Sequence, residues 1–193
     1  MFDGKSICTD CTVLSARMGL EFGDGSVAGP EKGVYVHHLY AFDVTKEGVV
    51  TSLPCDFETV KPVPFDPMIP FAPFAVQGED NGDSAILYTS ANGTFDSGFY
   101  IGPNDQFLIN SDLVNYNADA KNVFVTMDIE FIPGKVGLEA FPNLLSVVGC
   151  KMLEPKISKT GATETMSRKF PILIDGYILW TSKTLEYGKC QSS

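Results

Sequence analysis

The chain has two histidines, and they are neighbours in Val36-His37-His38-Leu39-Tyr40. Imidazole is the commonest metal ligand among side chains, so this pair is the first place to look for metal chemistry. On a regular strand adjacent side chains point to opposite faces. The pair can therefore share one ion only across a bulge or at a strand end. Copper or zinc would also want at least a third ligand. Without such a distortion the expectation is one buried imidazole and one at the surface.

Cys8-Thr9-Asp10-Cys11 is the other cluster with chemical potential. The spacing suits a redox dithiol, but no βαβ pattern or helix start follows it, which favours structural disulfide ends. A zinc finger would need a second pair at matched spacing, and Cys55, Cys150 and Cys190 do not provide one. Five cysteines in this scattered arrangement imply about two disulfides with one thiol left over. Asp112 and Asn115 interrupt an otherwise apolar stretch and, if buried, need partners, of which a ligand is one. Asp128 and Glu130 alternate with apolar residues and read as a solvated strand face rather than an acid–base pair. There is no Gly-x-Ser-x-Gly elbow, no phosphate-cradling glycine loop before a helix, and nothing that places a Ser-His-Asp triad.

The elements that must position these residues are strands. No segment carries a helical period, and short apolar runs recur between Gly, Pro, Asn and Asp. Val34 to Val44, which holds the histidines, is apolar on both faces and suits the middle of a sandwich. Val123 to Phe131 places Val123, Val125, Met127, Ile129 and Phe131 on one face and reads as a half-exposed antiparallel strand. Its expected hairpin partner is Phe107 to Tyr116, through the turn-like Asn117 to Asn122. Ala85 to Ser90, Leu144 to Leu153 and Pro171 to Ser182 are further strand candidates, and Gly19 to Gly33, with five glycines and a proline, reads as a loop. Half of the prolines fall in 54–73, and with the phenylalanines among them residues 54–76 read as a loop stapled over the sheet. No repeat or linker divides the chain, so residues 1–193 are read as one all-β, jelly-roll-like antiparallel sandwich supported by disulfides.

Composition narrows the partners. Apolar residues make up 44% of the 193, enough for a packed core, and 14 Phe with seven Tyr favour strands. A net charge of −10 with scattered basic residues argues against nucleic acid and against an anionic membrane surface. No apolar run is long enough to span a bilayer. Met1-Phe2-Asp3-Gly4 does not begin a signal peptide, yet the cysteines and the sequon Asn92-Gly93-Thr94, in a turn-rich stretch, favour the secretory route. The expectation is a secreted protein in a mature or trimmed form, glycosylated at Asn92.

Four segments in order carry a resemblance to a known family. Gly33-Val34-Tyr35-Val36-His37-His38-Leu39, then Gly98-Phe99-Tyr100-Ile101-Gly102-Pro103, then Asp112-Leu113-Val114-Asn115-Tyr116-Asn117, and then a strand ending in Phe131-Ile132-Pro133-Gly134 resemble the copper-dependent peptidylglycine hydroxylating monooxygenases. The resemblance is greater to their plant and fungal relatives, the stress-up-regulated nodulin-like proteins, and it covers roughly residues 30 to 190. It implies a jelly-roll sandwich and secretion. In the family a third histidine in a Val-His-Tyr segment completes the first copper site, where this chain reads Val114-Asn115-Tyr116. An Asn amide is a poor copper ligand. The family's second site begins with a His-x-His segment, where this chain reads Thr184-Leu185-Glu186-Tyr187-Gly188. The resemblance therefore implies that two-copper oxygen chemistry is lost.

The leading expectation is a scaffold that binds a small, largely apolar molecule without a cofactor. By analogy with fungal hetero-Diels–Alderases acting on quinone methides, it would catalyse a cyclisation by orientation and hydrogen bonding. His38, Tyr40, Asn115 and Tyr116 would then act on the substrate, and Tyr35, Phe71, Phe74, Phe99 and Trp180 would line the pocket. The alternatives are a mononuclear copper protein using His37 and His38 with Met68, Met127 or Met152, and a structural or interaction module with a solid interior.

Overall fold

The computed structural model describes residues 7–47, 71–78, 85–142, 166, 175–179 and 181. They form two sheets packed face to face, and the chain is an all-β sandwich. The larger sheet is built around β1 (Cys11–Phe22). Strand β7 (Val123–Pro133) runs antiparallel along its length. On its other partners' side, β5 (Ser97–Ile101) pairs with Cys11–Val13 and β4 (Ile86–Leu87) with Ser15 and Ala16. A short β8 (Leu138–Glu139) adds in parallel to β5. The smaller sheet has the order β3-β2-β6, with β2 (Val34–Glu47) in the middle, β3 (Phe71–Gln77) on one side and β6 (Phe107–Asn115) on the other, all antiparallel. No helix among the described residues is long and apolar enough to cross a membrane.

Inward-pointing residues of the two middle strands supply much of the core: Val13, Ala16, Met18 and Leu20 from β1, and Val34, Val36, Leu39 and Ala41 from β2. Phe74 fills the space between the sheets. Its ring lies 5.0 Å from Phe99 and from Phe107 and 5.9 Å from Tyr88, and its own carbonyl accepts the Tyr88 hydroxyl. Full burial pushes the Tyr88 phenol well above its ordinary range. A buried phenylalanine of this kind contributes about 1.5–3 kcal/mol through removal of apolar surface from water.

Several elements differ from the sequence reading. The expected hairpin of 107–116 with 123–131 does not form, because β6 joins β2 and β7 joins β1, in different sheets. The turn residues between them tie the chain to the start of β2 instead. Asn117 Nδ2 donates to the carbonyls of Lys32 and Gly33, and the Tyr116 N–H donates to Gly33 O. Gly33 is left-handed there (φ 73°), and a Cβ on it would lie 2.6 Å from Asn117 Nδ2, so only glycine fits the junction. With β6 held in this way, the apolar face of β7 finds its partner in β1.

The expected loop from Gly19 to Gly33 is strand as far as Phe22. Gly19 sits within it because a side chain would press on Thr126, 2.9 Å from the would-be Cβ. Residues 71–76, expected as loop, belong to β3. Pro73 is tolerated because β3 lies at the sheet edge and Pro73 faces Phe42 across an irregular register. Residues 54–70 lie outside the described residues, as does 144–153. Of the candidate strand 85–90 only Ile86 and Leu87 are strand, and residues 175–179 carry no regular element. Cys8 and Cys11 are bonded to each other, while Cys55, Cys150 and Cys190 lie outside the described residues.

Candidate metal centre

Along β2 the inward residues are Val34, Val36, Leu39, Ala41 and Asp43, all buried. The alternation slips once. Val36 pairs with Leu113 and His38 with Asp112, so His37 is an extra residue with no partner of its own in β6. This is a β-bulge, and it has one chemical consequence: both histidine side chains lie on the outer face of the sheet. The expected split into one buried and one surface imidazole is thereby replaced by two half-buried imidazoles side by side.

Their Nδ1 atoms approach to 3.1 Å. Two donors sharing an ion at the usual histidine–metal distance of about 2.0–2.1 Å lie roughly 3 Å apart, so the pair is spaced as a chelate. Asp112, directly across from His38, brings Oδ2 to 3.2 Å from His37 Nδ1. All three donor atoms fall within 4.8 Å of one another. His38 Nε2 faces Asn110 Oδ1 at 3.2 Å. The amide oxygen accepts the Nε2 proton, which leaves the Nδ1 lone pair of His38 aimed at His37. An outer hydrogen bond that fixes the tautomer is what a metal-ligating histidine normally has. Two imidazole nitrogens, one with its tautomer fixed, are donors that suit copper, and the residues fit that metal.

The same face carries an aromatic row. Tyr40 lies 4.8 Å from His38, Phe42 5.9 Å from Tyr40, Tyr35 6.2 Å from His37, and the exposed Tyr116 6.3 Å from Tyr35, all between ring centroids. His38, Tyr40, Tyr35 and Tyr116 are therefore brought to one surface. Asn115 is placed at the turn: its Nδ2 donates to Asp119 O, and its Oδ1 accepts from Asn117 N and Nδ2. Phe74 and Phe99 lie between the sheets, each 1% exposed, on the opposite side of β2 from the histidines. Phe71 opens β3 opposite Glu47, and Trp180 lies outside the described residues. Of the methionines weighed as copper ligands, Met127 packs against the core from β7, in the other sheet, and Met68 and Met152 lie outside the described residues. Asn92 is exposed in a turn and accepts the Thr94 N–H and hydroxyl. Surface depressions of about 590 Å³ by Phe22, Lys32 and Asn117 and about 290 Å³ by Arg17 and Asp128 include neither histidine.

Two polar residues of these strands escaped the sequence reading, Asn110 at the site and Asp43 on the inner face of β2. Asn110 carries no motif, and only the β2–β6 register shows it beside His38. Asp43 is wholly buried, its Oδ1 accepting from Thr45 N, Thr45 Oγ1 and Lys46 N, with Oδ2 unpartnered among the described residues. Burial raises its pKa against the pull of those hydrogen bonds. A single polar residue in an apolar alternation was the available signal.

Comparison with known proteins gives one informative likeness. The chain is 25% identical over 125 residues to a protein of Phoma sp. (strain ATCC 20986 / MF5453) described as a probable copper-dependent oxygenase M1. The match covers 65% of this chain and 28% of that protein, so the likeness spans less than a third of the relative's length. No family model and no solved structure matches the chain. The chain is thus a β-sandwich similar to part of a copper-dependent oxygenase-like protein.

Proposed function

We propose that this chain is a copper-oxygenase-like sandwich that binds one copper ion through His37 and His38 and handles a small, largely apolar molecule on the aromatic face around them. The β-bulge at His37 carries this reading, because it alone turns an adjacent pair into a chelate. The likeness to the Phoma protein supports copper as the metal. A copper ion held there would supply one-electron redox chemistry. The chain's own residues would do the rest: His37 and His38 present Nδ1, Asn110 holds the His38 proton on Nε2, and Tyr35, Tyr40 and Phe42 offer flat apolar surface to a ligand.

This reading replaces cofactor-free cyclisation as the leading one. That alternative uses Phe74 and Phe99 as pocket walls, and both rings are occupied with each other and with Tyr88. Secretion belongs to the same proposal, supported by the Cys8–Cys11 disulfide and by the exposed sequon at Asn92. The test is metal analysis after incubation with copper. The reading expects one equivalent on the native chain and none on a His37→Ala, His38→Ala variant of unchanged circular dichroism. Absence of copper from both would remove it.

A further inference from the structure

We infer that Asp112 is the third ligand, which makes this centre a two-histidine, one-carboxylate site that favours a divalent first-row ion over Cu(I). The inference rests on the proposal that His37 and His38 bind a metal, and it adds what kind of ion they bind. Asp112 sits opposite His38 in the antiparallel register, and the strand period of β6 turns it to the same outer face as Asn110. Its Oδ2 is 3.2 Å from His37 Nδ1. Asn115, which stands where the resembled family has its third histidine, is held at the turn by Asn117 and Asp119.

A carboxylate changes the chemistry of the set. Two neutral imidazoles and one carboxylate carry a single negative charge, which a divalent ion offsets better than a monovalent one. Carboxylate oxygen is a hard donor, whereas Cu(I) favours soft ones. Two histidines and one carboxylate on one side of an ion, with positions left open, form the donor set of mononuclear non-haem Fe(II) oxygenases. Here the open side exists: the His37 and Asp112 side chains are 40% and 54% exposed, so the donors lie at the sheet surface with solvent beyond them. Without a metal the same geometry is a simple contact between Asp112 Oδ2 and His37 Nδ1, and the test must separate the two.

Cu(II), Fe(II) and, under anaerobic conditions with a bicinchoninate competitor, Cu(I) would be titrated into the full chain and into Asp112→Ala and Asp112→His variants. The native chain is expected to take one equivalent of Cu(II) or Fe(II). Asp112→Ala should weaken both by at least about tenfold, since loss of even an outer-shell partner costs that much. Its Cu(I) affinity should stay near the native value, and Asp112→His should tighten Cu(I). Divalent affinity unchanged in Asp112→Ala would reduce Asp112 to a neighbour of His37 and overturn the inference. So would Cu(I) bound as tightly by the native chain as by Asp112→His. If the His37→Ala, His38→Ala variant binds metal like the native chain, the underlying proposal fails instead, and the inference falls with it.

Discussion

The middle strands of the two sheets each carry a bulge, and the two bulges serve different ends. In β1 the register slips between Val13 and Ser15, at Leu14. There the strand passes from pairing with β5 to pairing with β4, and the Leu14 carbonyl accepts the Tyr88 N–H. In β2 the slip falls at His37 and leaves two imidazoles on one face. The surrounding outer surfaces differ in the same sense. Around β1 and β7 the outward residues include Arg17 and Asp128, an exposed ion pair at 2.7 Å of the kind worth little to stability. Around β2 and β6 they include Tyr35, Tyr40, Phe42 and the histidines. One backbone device thus closes a fold or builds a site, depending on the side chain it displaces.

The largest expected effect lies on the core side. Phe74→Ala should destabilise the fold by about 3–5 kcal/mol, read from denaturant unfolding, because Phe99, Phe107 and Tyr88 cannot collapse fully onto the cavity. Copper affinity of the folded fraction should be unchanged, and a joint loss would mean that the two faces of β2 are not separable. Next in size is the converse. Deleting His37 removes the extra residue and should abolish chelation while leaving Val36 and Leu39 pointing inward; thermal melting and metal titration together check both halves. Asn110→Ala should weaken metal binding by about 10–100-fold without shifting the melting temperature, as removal of a tautomer-fixing partner does. An equal loss of stability would make Asn110 a packing residue.

The smallest effect concerns Asp43. Burial raises its folded pKa above the ordinary 3.8, so the folded chain holds that proton more tightly than the unfolded chain. Its contribution is therefore most favourable below pH 3.8 and declines as pH rises through the elevated folded value. Asp43→Asn should flatten that decline in melting temperature measured across pH 3 to 7. An unchanged profile would show that Oδ2 meets a partner in the native fold.

Much of the sandwich was legible because alternation is a local signal. Val34 to Val44 read as a middle strand, and Val123 to Phe131 as a half-exposed one, from their own residues, although Phe131, expected on the apolar face, is exposed. What the sequence concealed was pairing. Phe107 to Tyr116 and Val123 to Phe131 look like a hairpin because a polar turn joins them, but the Asn117 amide donates to Lys32 and Gly33, more than 80 positions away in sequence. Gly19 hid the end of β1 because a glycine in a strand resembles a loop unless Thr126 is seen beside it. The site followed the same rule. The histidines stood out by type, and the need for a bulge was readable from their adjacency. The bulge itself depends on β6, which is why Asp112 drew notice only as an interruption and Asn110 drew none.

The most direct test of the central claim is electron paramagnetic resonance on the full chain with one equivalent of Cu(II). A single bound species whose hyperfine pattern reports two imidazole nitrogens is expected, and it should disappear in the His37→Ala, His38→Ala variant. Copper that stays free in solution, or a bound spectrum that the double substitution leaves unaltered, would contradict it.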